Sequence, residues 1–394
     1  MKMRKILSLV LAIVLMGALF AACTPTTPVE GGGQTMIDTS KPVGEGGGNT
    51  VAPVVPAAPA DEYTGPFGRL CSKFADTHET YVRNAASALC DAKGWTIDHA
   101  ECNEDQVVMN DKLTLMYTKG YKAVITGAVN SAAAGTMIDI ARTADNAYII
   151  FQKNEPNPID EFNAYDNAMF CGSIYQQAGQ CQGDAVLKFM KANPDKWDKN
   201  GDGKLQYVML MGRLGGMETT FRTEWSIKQL TDNGVVVDCL YQDTAEWNRV
   251  TAMEKMQTWL TALPDDSVEA VFANNDDMAA GAIEAMKADG YFGEGGKYAM
   301  VVGIDATTVG RDFMREGALL ATSYNNPIAL GEATVYLAYA LTNGIERTSE
   351  GAFDGIYSMS DRDRNPDVNG KYVWLDYVYV DMDNIDEFER VYIS

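Results

Sequence analysis

Between about residue 120 and residue 324, short apolar runs rich in β-branched residues alternate with amphipathic helical patterns. The predicted strands cover 121–126, 147–152, 205–211, 235–240, 268–273, 298–304 and 319–324, and the clearest helices cover 132–142 and 183–192. Strands that are apolar throughout and separated by helices form parallel sheets covered on both faces. The sequence therefore predicts a doubly wound α/β fold.

The size and charge of the chain narrow the range of its partners. Its 394 residues, 46% of them hydrophobic, are enough for about two domains with cores of their own. The net charge is −22, and no segment gathers Lys and Arg into a stripe that would neutralise phosphates, which argues against nucleic acid as a partner. Neither glycine-rich nucleotide-binding pattern occurs, so we expect the ligand site elsewhere, at the carboxyl ends of the strands.

The N-terminus has the three-part form of an export signal. Three of the first five residues are basic, and residues 6–22 are apolar and end in small residues. This segment closes on Leu-Phe-Ala-Ala-Cys, which resembles the lipobox of bacterial lipoproteins, although Phe20 departs from the usual aliphatic or small residue. Residues 1–22 are therefore predicted to be a lipoprotein signal peptide and Cys23 the lipidated residue, with simple secretion as the alternative.

The segment after the predicted signal is rich in Pro, Gly, Thr, Val and Ala. Such a composition buries too little apolar surface to order itself, so residues 23–65 are predicted to be a disordered tether. The folded part would then lie outside the cytoplasm, on the outer face of the plasma membrane or in the periplasm, with the lipid as its only membrane contact.

Six cysteines remain when Cys23 is set aside. They are Cys71, Cys90, Cys102, Cys171, Cys181 and Cys239. An even number in an exported chain permits disulfides, but the spacing does not choose among the pairings. No C-x-x-C pair occurs, which argues against a cysteine-ligated zinc.

The most specific local motif is an acidic loop at residues 198–206. Oxygen-bearing side chains stand at loop positions 1, 3, 5 and 9, position 6 is glycine, and position 7 offers a backbone carbonyl. The corresponding residues are Asp198, Asn200, Asp202, Lys204 for the carbonyl, and Gln206. This spacing predicts a structural Ca²⁺ site, and the alternative is an ordinary Asp/Asn/Gly turn.

The loop lacks the carboxylate that ends a helix-loop-helix calcium hand. Position 12 is Met209, inside an apolar strand, so the loop leads from a helix into a strand. A cation that takes six to eight oxygens still needs a carboxylate, which must come from a distant residue. Glu269, at the start of the predicted strand 268–273, is the candidate.

This loop, the strand after it and a Glu before Ala273-Asn274-Asn275-Asp276 together resemble the periplasmic galactose/glucose-binding proteins of ABC importers. The likeness begins near Leu70 and runs to the C-terminus. Further supporting stretches lie at 73–76, 154–156, 242–247, 303–306 and 381–384. The family implies a type I periplasmic-binding-protein fold, in which two similar doubly wound lobes are joined by three hinge crossings.

The resemblance also implies lobes that are discontinuous in sequence. It places residues 66–171 and 328–375 in the N-terminal lobe, and residues 172–327 and 376–394 in the C-terminal lobe with the calcium loop. The hinge crossings are expected near residues 171–172, 325–327 and 375–377.

In that family the sugar lies between the lobes, flanked by aromatic faces and held by polar side chains from strand ends. The positions carried over are Asp76, Arg222, Trp247, Asn275, Asp305 and Asn325. Carboxylates, amides and a guanidinium suit sugar hydroxyls, which both donate and accept hydrogen bonds, and an indole offers a flat apolar face.

The chain departs from the family's pattern at three places. His78 stands where the family has an aromatic residue. In the segment before Arg222, Gly216 replaces a His and Glu218 replaces an Asp. After Phe151 there is one extra residue, so Gln152 is the first choice for the family's Asn and Asn154 the alternative.

The resemblance implies a solute-binding protein that captures a galactose- or glucose-like monosaccharide and delivers it to an ABC importer permease. Such a protein closes on its ligand, acts as a monomer and is not an enzyme; a chemoreceptor is a further partner that the family allows. The departures from the pattern leave a pentose, another hexose, a glycoside or another polyhydroxylated ligand as alternatives.

Two other classes of protein compete with this interpretation. An exported glycosidase would use two carboxylates, such as Asp76 and Asp305, as an acid/base pair. A sugar-responsive transcription factor would need a DNA-binding headpiece where the chain has an export signal. Only two histidines occur and no H-E-x-x-H or G-x-S-x-G motif is present, which favours binding over catalysis.

Overall fold

This computed structural model describes residues 62–366 and 370–392. The predicted signal peptide, Cys23 and nearly all of the predicted tether lie outside the described residues. Within the described ranges, no helix combines the length and the apolar character that a membrane crossing requires.

The first lobe is built on a seven-stranded sheet. Its strands are β1 (Phe67–Cys71), β2 (Ile97–Glu101), β3 (Ala123–Thr126), β4 (Tyr148–Gln152), β5 (Ala168–Ser173), β11 (Met359–Ser360) and β12 (Tyr372–Leu375). Their order across the sheet is β11-β12-β5-β4-β3-β1-β2, and all neighbours are parallel except β11 with β12. The helices of this lobe are α1 (Thr77–Lys93), α2 (Gln106–Thr118), α3 (Ala134–Thr143), α4 (Ile159–Asn163), α10 (Pro327–Thr342) and α11 (Ser349–Phe353), with a 3₁₀ turn at Ser131–Ala133.

The second lobe has a parallel four-stranded sheet and a separate two-stranded ribbon. The parallel strands are β6 (Leu205–Met211), β7 (Val237–Thr244), β8 (Ala270–Ala273) and β9 (Met300–Val302), in the order β7-β6-β8-β9. The ribbon pairs β10 (Thr322–Asn325) with β13 (Tyr377–Val380) in antiparallel register. The helices are α5 (Tyr175–Ala192), α6 (Met217–Asp232), α7 (Arg249–Ala262), α8 (Asp276–Ala288) and α9 (Thr308–Arg315), with a 3₁₀ helix at Ile385–Tyr392.

Apolar packing on both faces of the sheets explains why the strands carry almost continuous apolar runs. On β4, Ile150 packs with the side chains of α1 and α10, whereas Ile149 and Phe151 pack with those of α2 and α3. All three side chains are fully buried, and each contributes about 1.5–3 kcal/mol of transfer free energy. The doubly wound α/β fold with two lobes, predicted from the strand pattern and the resemblance, is confirmed.

The chain passes between the two lobes three times. It leaves the first sheet after β5 and enters α5 at Tyr175, returns through Asn326 between β10 and α10, and crosses again at Asp376 between β12 and β13. Each crossing is a single residue between two elements, Ile174, Asn326 and Asp376, so a change in its backbone angles would move one lobe against the other.

Two helices that point at the space between the lobes are capped by side chains of predicted site residues. Asp76 caps α1, its Oδ1 accepting from the backbone N–H of Glu79 at 2.6 Å. Asn275 caps α8 in the same way through the N–H of Met278, at 3.0 Å. Both caps follow the carboxyl end of a parallel strand, where ligand sites of open α/β sheets are found.

None of the six cysteines in the described residues forms a disulfide. Burial raises the pKa of the Cys71 and Cys90 thiols to about 12, and that of Cys102 to about 11. These thiols remain protonated at neutral pH, so they behave as small apolar core groups.

Candidate ligand-binding cleft

A cavity lies between the lobes at the carboxyl ends of their parallel strands. Its walls consist of Ser72, Lys73, Asp76, His78, Glu79, Glu104, Val129, Lys153 and Asn154 from the first lobe, and Arg213, Gly216, Glu218, Arg222, Trp247, Asn275, Asp305 and Asn325 from the second. Nine of the ten residues predicted for the sugar site are on these walls. The exception is Gln152.

Gln152, the first choice for the family's Asn, does not line the cavity. Its side chain lies beside Gly127, and its Oε1 is buried without a hydrogen-bond partner in the described part of the chain. The next residue, Lys153, has a φ of 62°, and this left-handed turn accommodates the extra residue. Asn154, the alternative, therefore faces the cavity, with its Nδ2 donating to the carbonyl of Ala128 at 3.2 Å.

Arg222 is the central cation of the second lobe's wall. Its Nη1 donates to the carbonyl of Asn274 at 2.7 Å, and its Nη2 donates to Glu218 Oε1 at 2.8 Å and to the Tyr377 hydroxyl at 2.9 Å. Burial works against its charge, but Glu218, Tyr377 and Asp305 outweigh this and raise the pKa of Arg222. The guanidinium is thus fixed and charged at the cavity wall.

Trp247 presents its indole beside this guanidinium. The central carbon of Arg222 lies 5.5 Å from the centre of the indole ring, within the range of a cation–π contact. Trp247 itself has a φ of 62° in the short turn between β7 and α7. Its ring is held against the backbone of Gly212, where a side chain would leave no room for it.

Asp305 lies at the floor of the cavity in an uncommon backbone conformation. Its φ is 107°, and its N–H donates to the carbonyl of Ser323 at 2.7 Å. Its Oδ1 accepts from Asn325 Nδ2 at 3.4 Å and lies 4.0 Å from Arg222 Nη1. Burial raises the pKa of Asp305 well above its ordinary value, although Arg222 opposes the shift. A ligand hydroxyl that donates a hydrogen bond to Asp305 would offset the hydration that its carboxylate loses on burial.

The buried Asp276 holds the backbone segment that carries Asp305. It is completely buried and accepts from the Thr322 hydroxyl at 2.7 Å and from the Thr307 N–H at 2.7 Å. Burial raises its pKa to about 7, against the effect of these hydrogen bonds. Asp276 thereby fixes the turn that carries Asp305.

On the first lobe, Asp76 and His78 line the cavity from the N-terminal end of α1. Burial raises the pKa of Asp76, while the Lys153 ammonium opposes the shift. His78 Nε2 lies 3.0 Å from the carbonyl oxygen of Asn325, which can only accept, so Nε2 carries the proton. Burial and the Lys153 charge lower the pKa of His78 well below its ordinary value, and the ring is neutral at pH 7.

An ion triad that the sequence did not reveal lies next to these residues. Glu79 accepts from Arg69 Nη2 and from Lys153 Nζ, both at 2.8 Å. Burial favours the neutral form of Glu79, but the two cations outweigh it and lower its pKa. The signal available in the sequence was Arg69 itself, a charged residue within an otherwise apolar strand.

The acidic loop at 198–206 contributes no residue to the cavity wall and folds around its own carboxylates. Asp198 accepts from the N–H groups of Gly201 at 2.8 Å and Gly203 at 2.9 Å, and both glycines have positive φ. Glu269 reaches both ends of the loop, accepting from Lys199 N at 2.6 Å and Gln206 N at 2.8 Å. The distant carboxylate chosen from the sequence therefore lies beside the loop.

The donor set of this loop is of the kind that Ca²⁺ takes. Asp198, Asn200, Asp202 and Glu269 supply oxygens, and Gln206 Oε1 is buried without a hydrogen-bond partner in the described ranges. In the same ranges, no three acidic, His or Cys side chains converge as a metal-ligating group. The fit thus rests on mixed amide, carbonyl and carboxylate oxygens.

The fold and the cleft define a two-lobed binding protein with a polar, aromatic-walled cavity at its hinge. Residues 67–346 match the periplasmic binding protein domain family, and the chain belongs to that family. The resemblance stated from the sequence motifs is thereby confirmed.

Relatives of known name agree with this assignment. The chain is 33% identical to the D-galactose/methyl-galactoside binding periplasmic protein of Haemophilus influenzae over 72% of this chain and 79% of that protein. It is 28% identical to the ribose import binding protein of Escherichia coli over 57% of this chain and 67% of that protein. These are binding proteins, in agreement with the prediction that the chain is not an enzyme.

Solved structures show the same fold. An ABC transporter solute-binding protein from Bacillus halodurans, with bound myo-inositol, superposes with a TM-score of 0.66 at 23% identity, covering 85% of this chain and all of that one. Its similarity supports the two-lobed architecture described above.

Proposed function

We propose that this protein captures a monosaccharide, or a polyol of similar size, between its lobes and presents it to an ABC importer. The observation that carries the proposal is the composition of the cavity wall. Carboxylates, amides and a guanidinium converge there beside an indole face, and residues of both lobes take part.

Two polar atoms of the cavity-lining residues lack partners that ligand hydroxyls would supply. Asn154 Oδ1 and Arg222 Nε are buried without hydrogen-bond partners in the described residues. One is an acceptor and the other a donor, and a ligand with several hydroxyls provides both functions. An unpaired buried polar group costs about 1–3 kcal/mol, so a polyhydroxylated ligand would stabilise the closed cleft.

The relatives support the same class of ligand. The names of the two relatives and the solved structure refer to galactosides, ribose and myo-inositol, which are all neutral and polyhydroxylated. The replacement of the family's His by Gly216 and the position of Asn154 make the wall of this chain different. We therefore propose a class of ligand, neutral polyhydroxylated compounds of about the size of a hexose.

Thermal unfolding of the full mature chain with D-galactose, D-glucose, D-ribose and myo-inositol tests the proposal. A ligand that binds only the folded state raises its melting temperature, by mass action. We expect at least one of these compounds to do so in the wild type and not in Trp247→Ala, with circular dichroism confirming that the variant is folded. If no sugar or polyol of a wider panel raises the melting temperature, the proposed function is wrong.

We also propose that the loop at 198–206 holds a structural Ca²⁺. The ligands would be the side chains of Asp198, Asn200, Asp202, Gln206 and Glu269 and the carbonyl of Lys204. A cation there would neutralise carboxylates that now accept only N–H donors, and would tie the start of β6 to the start of β8. Its role would be stability of the second lobe.

The export and anchoring steps are part of the same proposal. Removal of residues 1–22 and lipidation of Cys23 would keep the binding lobes outside the cytoplasm and close to the importer. Mass spectrometry of the mature N-terminal peptide tests this directly, and Cys23→Ser is expected to release the protein from the membrane fraction. We expect the released protein to be a monomer by light scattering.

A further inference from the structure

Arg213 joins the two lobes at the cavity wall. It lies on the second lobe just after β6, and its Nη2 is 2.7 Å from Glu104 Oε1 of the first lobe. Its Nε donates to Glu246 Oε2, in its own lobe, at 2.9 Å. One guanidinium therefore has a carboxylate partner on each side of the cleft.

The pair that crosses the cleft is better shielded than the pair within the lobe. The side chains of Arg213 and Glu104 are each 22% exposed, whereas that of Glu246 is 45% exposed. An ion pair weakens as water and salt reach it, so the contact with Glu104 contributes more than the contact with Glu246.

Glu104 also has a second partner, in the first lobe. Lys73 Nζ lies 3.5 Å from Glu104 Oε2, so the four charges form a chain from Lys73 through Glu104 and Arg213 to Glu246. If the lobes separate, only the central pair breaks. Each lobe then keeps one ion pair of its own, and no charge is left without a partner, which keeps the cost of opening low.

We propose that Arg213 is a positioning residue for ligand capture, which stabilises the closed cleft through Glu104 and is held ready in the open form by Glu246. The inference rests on the proposed function, since closure matters only if a ligand lies inside. Whatever stabilises the closed form raises the apparent affinity and slows release, because the ligand contacts both lobes only when they are closed. Arg213 is itself part of the cavity wall, as is Glu104.

The two carboxylate partners of Arg213 provide a matched pair of variants. Glu104→Gln removes the charge across the cleft, and Glu246→Gln removes the charge within the second lobe. Both side chains are partly exposed and Gln keeps their shape, so both variants are expected to fold. Release of D-galactose is followed by stopped-flow fluorescence of the tryptophans, and the ligand-free radius of gyration by X-ray scattering.

We expect Glu104→Gln to speed release about fivefold and to remove its dependence on salt, whereas Glu246→Gln releases at nearly the wild-type rate. The ligand-free radius at low salt is expected to be larger in Glu104→Gln than in the wild type. Equal radii together with equal release rates in the two variants overturn the proposal.

The two proposals fail in different ways. If D-galactose does not bind the wild type, the proposed function fails for this sugar while the scattering radii still decide the role of Arg213. If D-galactose binds and both variants behave alike, the proposed function stands and the role given to Arg213 does not.

Discussion

The indole ring of Trp247 lies directly on the backbone of Gly212: a Cβ at that glycine would stand 2.1 Å from two carbons of the ring. No side chain fits in that space while the ring keeps its place beside Arg222. The position of the aromatic wall of the cavity therefore depends on a residue that does not line it.

The first prediction follows from this contact. Gly212→Ala is expected to push the indole out of place and to lower sugar affinity about tenfold or more, as misplacement of a single stacking face does. Isothermal titration with the best-binding sugar measures the loss. Gly293→Ala is the matched control, because a Cβ there meets nothing within 4 Å and the affinity is expected to stay unchanged.

The Lys153–Glu79–Arg69 triad predicts a loss of stability. Lys153→Met leaves Glu79 with one cation, and we expect the free energy of unfolding to fall by about 2 kcal/mol in urea titrations. Met in place of the exposed Lys119 is the control and is expected to change little. An equal effect of both substitutions would mean that the triad does not stabilise the fold.

The same triad predicts how stability responds to acid. The pKa of Glu79 is lowered in the folded state, so its contribution is present above its ordinary pKa near 4.5 and is lost as the pH falls through the folded value. With Lys153 replaced, the folded pKa of Glu79 rises toward its ordinary value, so the part of the stability that is lost on acidification is expected to be smaller than in the wild type. Melting temperatures measured between pH 3 and pH 6 test this.

Asp276 is expected to make the stability of the fold depend on pH in the opposite direction. Burial raises its pKa to about 7 from 3.8, so the folded state binds its proton more tightly than the unfolded state. Its stabilising effect is full below about pH 4 and is lost as the pH rises through about 7. Asp276→Asn is expected to flatten the melting temperature across this window, and a slope as steep as that of the wild type would exclude the assignment.

The calcium proposal predicts which substitution abolishes the effect of a chelator. In the wild type, we expect Ca²⁺ to raise the melting temperature over its value in chelator. This difference is expected to vanish in Glu269→Gln, which lacks the carboxylate between the two loop ends. It should persist in Lys204→Ala, since Lys204 would contribute only its backbone carbonyl.

Elements with a continuous apolar run were predictable from the sequence. The strand predicted at 205–211 coincides with Leu205–Met211 because every residue there is buried or nearly so. The helix predicted at 183–192 in fact begins at Tyr175. The hydrophobic pattern missed its first two turns because most of their residues are polar. One of those polar residues, Gln182, is nevertheless buried and donates to the carbonyl of Ala273 at 2.8 Å. A pattern based on hydrophobicity does not recognise such a residue as core.

The cavity was predictable where family motifs marked single residues, and not where it depends on long-range pairing. Asp76, Asn275 and Asp305 line the cavity as predicted, since each lies in a recognisable motif between the end of a strand and the next helix. The contacts of Glu79 with Lys153, and of Glu104 with Arg213, join residues that are far apart in the chain. Sequence position carries no information about such pairs until the fold has brought their elements together.

Asp76 and Asn275 each serve as a helix cap and as part of the cavity wall. Substitutions that would adapt the cavity to a new ligand therefore differ in their cost to stability. A change at either of these two residues would also weaken a helix, by about 1 kcal/mol. Gly216 also stands at the N-cap of a helix, α6, but without a side-chain cap and with a φ of −90°, so a substitution there would break no capping hydrogen bond. Paralogues of this protein are thus expected to diversify their ligands at positions such as Gly216 while both caps stay the same.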